Sequence, residues 1–194
     1  VSNWDRSEIL RLTKGAYYQV PVLVHGERVI FETGSATQDV AHYLDQQFAG
    51  GRLFPERLDG IQGIVIDYLE NEVEGVTFRL ADPYYLDTIP DVAERGMIIR
   101  HKERKFGRGC VEAWRQNAAS LRAEADRLLE RFELILRHSP FLFGDSPVYS
   151  DFLLFGILGN LTYEGWNQLN PQKQNALMKW QEAMTGLRWP TKGN

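Results

Sequence analysis

The pattern of apolar and polar residues changes period several times along the chain, and each change predicts a different element. Near the start, two short runs rich in β-branched residues, at positions 20–24 and 29–31, flank a polar turn that contains Gly26. Two such runs around a glycine-containing turn predict a β-hairpin. Pro21 lies within the first run, and because proline donates no ladder hydrogen bond, we expect it at a sheet edge or a strand start.

A helix is predicted directly after this hairpin. The small polar residues Thr33, Gly34 and Ser35 end the second strand, and Val40 and Tyr43 then follow at helical spacing. The hairpin and the helix start together offer one free strand edge and one helix N-terminus. Both present backbone N–H groups, which suits the binding of a small ligand.

Helical spacing dominates the rest of the sequence. Long amphipathic helices are predicted over residues 58–76 and 121–136, whereas the aromatic, proline-bounded segment 81–90 predicts an irregular connection. Residues 153–161 are apolar almost all round, which is typical of a helix in the middle of a bundle. Gly156 and Gly159 lower the helix propensity of this segment, and we expect close helix packing in return.

The hairpin and the helix after it resemble a known family. The pattern V-P-V-L-V-x-G-x-x-V-I-F-E, followed by a helix that closes in Y-L-D, is similar to the second half of the thioredoxin-like domain of glutathione transferases. In that family the Val-Pro bond is cis and the valine backbone pairs with the cysteinyl part of glutathione, so the resemblance implies a binding edge here. An ordinary edge hairpin with a trans proline is the alternative.

The segment before the hairpin is short for this family. Residues 1–15 predict only one helix, at 5–12, whereas a β-α-β unit takes about 30 residues. The resemblance therefore implies either that the true N-terminus lies upstream or that the domain is degenerate, and we favour the first. Because the residue that activates the glutathione thiol lies near the first strand or helix in this family, the sequence names no catalytic residue.

A second stretch resembles the same family. The pattern P-F-L-F-G-D-x-P-x-x-x-D-F-x-L-F-G at positions 140–156 is similar to the segment before the central helix of the transferase C-terminal domain. A Ser or Thr usually stands three residues before the aspartate there and completes a capping box. Asp151 matches, but Val148 replaces the hydroxyl residue. We therefore expect half of the box, with Asp151 accepting from the Val148 N–H.

Together the two stretches imply the fold class. We expect an α/β thioredoxin-like N-terminal domain, incomplete at its N-terminus, over residues 1–48, and an all-α helical bundle over residues 56–194. The helix stop at Ala49, Gly50 and Gly51 lies between them. The resemblance also implies a homodimer.

Composition narrows the function without identifying it. The 194 residues carry a net charge of -4, which argues against a dedicated binder of nucleic acid or of anionic membranes. Cys110 is the only cysteine, so no intrachain disulfide is possible and a cytoplasmic location fits best. We expect Cys110 to be a small buried residue. The basic run 100–108 is either a solvated helix face or an anion-binding wall.

The resemblance names glutathione as the cofactor and places its contacts on the hairpin. Val20 would pair its backbone with the cysteinyl unit, beside Pro21, and Gln19 would lie close to the glycyl end. These three are candidate cofactor-binding residues by resemblance alone.

The anchor for the γ-glutamyl carboxylate is less regular. In strict register the acidic-residue-then-Ser pair of the family falls on positions 36–37, where the acid is missing. Glu32 and Thr33 look like the pair but stand four positions earlier, as though the loop were longer. Ser35 and Thr37 each offer a hydroxyl and a helix-start N–H to a carboxylate, and plain helix capping is their alternative role.

Two classes of function follow from these observations. The first is glutathione-dependent transfer to, or thiol chemistry on, a small apolar electrophile, with conjugation, ether cleavage and isomerisation left open. The second is a non-catalytic, transferase-like module for assembly or ligand carriage, which the irregular anchor favours. The four histidines are scattered without metal-ligand spacing, so no metal site is predicted.

Overall fold

The computed structural model describes residues 5–34 and 37–187, and these residues are mostly helical with one small antiparallel sheet. They divide into two compact units, one up to Gly60 and one from Ile61 onward. None of the described helices combines the length and the apolar composition that a membrane span requires.

The first unit contains the predicted hairpin. After the short helix α1 (Ser7–Leu12), strands β1 (Val22–His25) and β2 (Arg28–Phe31) pair antiparallel, with Val22 opposite Phe31. Pro21 lies immediately before β1, as expected of a proline at a strand start, and the Val20–Pro21 peptide bond is cis. The hairpin prediction is therefore confirmed.

Helix α2 (Asp39–Leu44) follows the hairpin and runs on into one π-helical turn, Asp45–Ala49. The carboxylate of Asp45 is 3% exposed and accepts hydrogen bonds from the N–H groups of Leu53 at 2.9 Å and Phe54 at 3.1 Å. The His42 ring stacks on the Phe54 ring with centroids 3.8 Å apart. These contacts hold the segment after α2 against the helix.

The described residues of the second unit form helices and connecting segments, with one isolated antiparallel bridge between Phe141 and Gly144. The first helices of the unit are continuous: α3 (Asp59–Tyr68), which begins at the unit boundary, leads through a π-helical stretch (Leu69–Val73) into α4 (Glu74–Asp87). The helices that follow are α5 (Val92–Phe106), α6 (Cys110–Gln116), α7 (Ala118–Leu136), α8 (Tyr149–Leu161) and α9 (Asn175–Gly186).

The prediction of an irregular connection over residues 81–90 is wrong as far as Asp87. Helix α4 continues through Pro83, and Ala81 and Leu86 are each 1% exposed. Proline removes one helical hydrogen bond, but burial of the flanking side chains outweighs that local cost. The carbonyl oxygen of Pro83 also accepts from the Arg115 guanidinium at 3.0 Å, which ties this turn to α6.

The core of the second unit lies between α4, α7, α8 and α9. The predicted stripe along α7 is buried except at Ile135, which is 39% exposed. In α8, Leu154, Leu158 and Leu161 are fully buried, but Phe152 is 41% exposed and Gly156, Gly159 and Asn160 are exposed as well. The prediction of a helix in the middle of the bundle is therefore confirmed for one face of α8 only. Cys110 is 5% exposed, which confirms that it is a small buried residue. Arg104, Lys105 and Arg108 in the basic run are exposed.

The segment before α8 is held by Asp151. Its Oδ2 accepts from the Val148 N–H at 3.0 Å, and its Oδ1 accepts from the Leu142 N–H and the Trp180 Nε1–H, both at 3.0 Å. The valine side chain has no acceptor, so only half of a capping box is present, as the sequence predicts. The carboxylate instead joins the loop, the start of α8 and α9.

Close packing does not explain the glycines of α8, so that expectation is wrong. A Cβ atom built on Gly156 or Gly159 meets no atom within 4 Å, apart from the helix's own backbone. Both positions face open grooves rather than a neighbouring backbone.

Replacing Gly156 with alanine should therefore stabilise the protein. The new methyl group has room, and alanine is favoured over glycine in a helix by about 0.5–1 kcal/mol. We expect the free energy of unfolding in urea to rise by about this amount. A decrease would show that the groove beside α8 is closed in solution.

Candidate functional site

The junction between β2 and α2 brings several of the predicted residues together. Glu32 directly follows β2, and its carboxylate reaches the first turn of α2. Oε2 accepts from the Asp39 N–H at 2.7 Å and Oε1 from the Val40 N–H at 3.3 Å. Glu32 thus occupies backbone donors at the start of this short helix that would otherwise lack a partner.

A second carboxylate, that of Asp39, collects the neighbouring donors. Its Oδ2 accepts from the Thr33 N–H at 2.6 Å, the Thr33 hydroxyl at 2.7 Å and the Thr37 hydroxyl at 2.6 Å. Hydrogen bonds from Thr37 and Thr33 lower the pKa of Asp39, so this carboxyl group is ionised at neutral pH. The Thr37 Oγ1 also lies 3.2 Å from Glu32 Oε2, which places the two carboxylates on either side of one hydroxyl.

Tyr17 links this junction to the residues before β1. Its ring stacks on Phe31 with centroids 5.5 Å apart, and its hydroxyl donates to the Val20 carbonyl oxygen at 3.3 Å. Burial raises the pKa of Tyr17, and the negative charge of Glu32 raises it further. Tyr17 is therefore a neutral donor that positions the Val20 backbone.

Val20 is an exposed residue next to Pro21. The residue is 57% exposed, and within residues 5–34 and 37–187 its N–H donates no hydrogen bond. Gln19 is also exposed, and its Nε2 lies 3.3 Å from the Tyr18 hydroxyl oxygen. Among the described residues, the Val20 N–H is thus a main-chain donor available to a ligand beside the first strand.

The structure brings Glu32, Thr33 and Thr37 together, and it places Gln19, Val20 and Pro21 in one exposed segment before β1. Ser35 lies outside the described residues. Sequence reasoning missed two residues, Asp39 and Tyr17. Asp39 had a visible signal, because an acidic residue in the first helical turn is a common partner for nearby hydroxyl and N–H donors.

Chemically, this junction is rich in acceptors. The donors of Thr33 and Thr37 are already bound to Asp39, and two carboxylates lie close together. The arrangement therefore favours a positively charged group of a ligand over a negatively charged one. Among the described residues, no three His, Cys, Asp or Glu side chains are grouped so that they would hold a metal ion.

Comparison with models of protein families finds no match for this chain, and no curated protein matches it.

Proposed function

We propose that this chain is a glutathione-binding protein of the transferase type, whose bound thiol acts on a small apolar electrophile. One observation carries the proposal: Val20 is an exposed residue directly before Pro21 and the start of an edge strand, and among the described residues its N–H has no partner. A main-chain donor on such an edge pairs well with the backbone of an extended peptide. Glutathione is a peptide of this kind, and its cysteinyl carbonyl is the acceptor that Val20 would take.

The acceptor-rich junction supplies the second contact. Glutathione carries an ammonium group on its γ-glutamyl end, and the carboxylates of Glu32 and Asp39 would hold this group by charge-assisted hydrogen bonds. Thr33 and Thr37 then act indirectly, since their donors fix the Asp39 carboxylate. In this proposal the carboxylates of Glu32 and Asp39 bind the ammonium group of the γ-glutamyl end rather than its carboxylate.

The finer fold assignment belongs to the same proposal. The hairpin and α2 would form the latter part of a thioredoxin-like domain, and the helices from Ile61 onward would form the helical domain of a cytoplasmic homodimer. The hairpin register, the proline before β1 and the Asp151 contacts before α8 support this assignment.

A calorimetric titration with glutathione tests the proposal. We expect one-to-one binding with a dissociation constant below about 1 mM, and Asp39→Asn should weaken it about fivefold, as expected for one exposed charge pair. An analogue of glutathione that lacks the amino group should bind the original protein and the variant equally well, because the group that senses Asp39 is gone.

Asp59→Asn, an exposed aspartate at the start of α3, serves as the matched control and should leave the affinity unchanged. Absence of glutathione binding would overturn the proposal. Equal losses for glutathione and for the deaminated analogue in Asp39→Asn would contradict the ammonium contact.

A second candidate is a non-catalytic module for ligand carriage or assembly. The occupied donors of Thr33 and Thr37 favour it, because they leave no hydroxyl to fix a glutathione carboxylate. Glutathione binding without turnover of any member of an aryl halide and epoxide panel would select this candidate over the transferase.

A further inference from the structure

A cavity of about 570 Å³ lies in the second unit, between α8, the turn that follows it and α9. Its volume falls in the range of small-molecule sites, about 300–1,000 Å³. All of its lining residues belong to the second unit, so it is separate from the junction of Glu32 and Asp39.

The cavity has an apolar wall. Phe155 from α8, Leu169 from the connecting segment and Met178 from α9 line it. Gly159 lines it as well, and a Cβ atom at this position would meet no atom within 4 Å outside the helix's own backbone. The glycine thus leaves space beside a surface that suits an aromatic or aliphatic group.

The hydroxyl groups on the polar side of the cavity already donate hydrogen bonds within the protein. The Thr162 hydroxyl donates to the Leu158 carbonyl oxygen at 2.8 Å, and the Thr185 hydroxyl donates to the Gln181 carbonyl oxygen at 2.9 Å. One N–H of the Gln181 amide reaches Thr162 Oγ1 at 3.5 Å. The Gln181 amide oxygen and a lone pair of Thr185 stay available to a ligand.

Asn167 and Glu182 add further hydrogen-bond acceptors to the polar side of the cavity. The Asn167 amide nitrogen donates to the carbonyl oxygens of Leu161 at 3.2 Å and Leu80 at 3.5 Å, which fixes its oxygen as the free atom. Glu182 is the one ionisable residue that lines the cavity, and no cation among the described residues pairs with it. The exposed Gln168 amide offers both a donor and an acceptor.

We propose that this cavity binds a small organic cation, an ammonium group carried on an aromatic or aliphatic body. The ammonium donates to the Glu182 carboxylate and to the free amide oxygens of Asn167 and Gln181, and the apolar body contacts Phe155 and Met178. A neutral ligand loses the charge interaction, and an anionic one is repelled by Glu182. The site is independent of glutathione.

Titrations with three probes of one shape test this inference: 2-phenylethylammonium, 2-phenylethanol and 3-phenylpropionate. Ligand-observed NMR should show binding in the order cation, alcohol, anion. Glu182→Gln should weaken the cation about threefold to fivefold and leave the alcohol unchanged, as expected for one exposed charge. Glu130→Gln, at an exposed glutamate on α7, is the matched control and should change neither.

A second variant tests the same inference independently, because it changes the volume of the cavity rather than its charge. Gly159→Leu fills the open side of the cavity and should abolish binding of the cation, while circular dichroism shows the helical content retained. Binding of the anion as tight as that of the cation, or of the cation unchanged in Glu182→Gln, would overturn the proposal. Unchanged binding in a folded Gly159→Leu protein would also overturn it.

Discussion

Asp151→Ala is expected to lower the free energy of unfolding by about 3–5 kcal/mol. The substitution leaves three donors without an acceptor: the N–H groups of Leu142 and Val148 and the Nε1–H of Trp180. Each buried donor left unsatisfied costs about 1–3 kcal/mol, and costs at one shared site do not add fully. Asp151 is fully buried, so water does not replace the lost carboxylate.

Urea unfolding followed by far-ultraviolet circular dichroism measures this effect. Asp145→Ala, at an exposed aspartate in the same loop, is the matched control and should change the stability by less than about 0.5 kcal/mol. Asp151→Asn keeps one acceptor oxygen and should lie between the two. A loss below 1 kcal/mol in Asp151→Ala would show that the loop before α8 does not depend on this carboxylate.

Part of this architecture follows from the sequence because short-range patterns determine it. The hairpin follows from two β-branched runs around a turn with Gly26, and the contact from Asp151 to Val148 follows from capping chemistry at fixed spacing. In each case the interacting residues are close in sequence, so local rules suffice.

Other features depend on contacts between distant segments, and the sequence pattern alone does not contain them. Pro83 looks like a helix breaker, yet α4 continues because Ala81 and Leu86 are buried in the bundle. Likewise, Gly156 suggests close packing, but the absence of a nearby atom is a property of the neighbouring helices. Tertiary packing overrides local propensity at both positions.

At the candidate site, too, part of the arrangement follows from the sequence and part depends on the three-dimensional structure. The family resemblance selected Glu32 and Thr33 as candidates, and both residues hydrogen-bond to Asp39 at the start of α2. The position of Asp39 in the first helical turn indicated an acceptor, but the sequence did not indicate that it would take the donors of both Thr33 and Thr37. Which acceptor a hydroxyl finds depends on the geometry of the loop, and no local pattern in the sequence determines that geometry.

A second large effect is expected at Glu133, which lies on α7 and is 2% exposed. Its Oε2 accepts from the Leu177 N–H at 2.9 Å in the first turn of α9, and its Oε1 accepts from Arg137 Nε at 3.1 Å. Glu133→Ala leaves that first turn without its acceptor and should cost about 2–4 kcal/mol at pH 7. The exposed Glu130 on the same helix provides the control substitution, Glu130→Ala.

The pH dependence of this loss distinguishes a charge effect from a packing effect. Burial acts to raise the pKa of Glu133, but hydrogen bonds from the N–H groups of Leu177 and Ala176 and from Arg137 outweigh it, so the pKa is lowered. A carboxyl group with a lowered pKa in the folded state stabilises the protein fully above the unfolded value, about 4.3. That contribution is lost as the pH falls through the folded pKa.

The difference in stability between the original protein and Glu133→Ala should therefore be constant from pH 7 to about pH 5 and should shrink at lower pH.

Asp151 titrates with the opposite sign, because burial raises its pKa above the ordinary value despite its three hydrogen bonds. Its contribution is greatest below the unfolded pKa and decreases as the pH rises through the folded value. Comparing each variant with the original protein at every pH separates the two, since Asp151 is present in both members of the Glu133 pair. If the difference in free energy of unfolding between the original protein and Glu133→Ala stays the same from pH 7 to pH 3, then packing around the side chain, rather than its charge, holds α9 against α7.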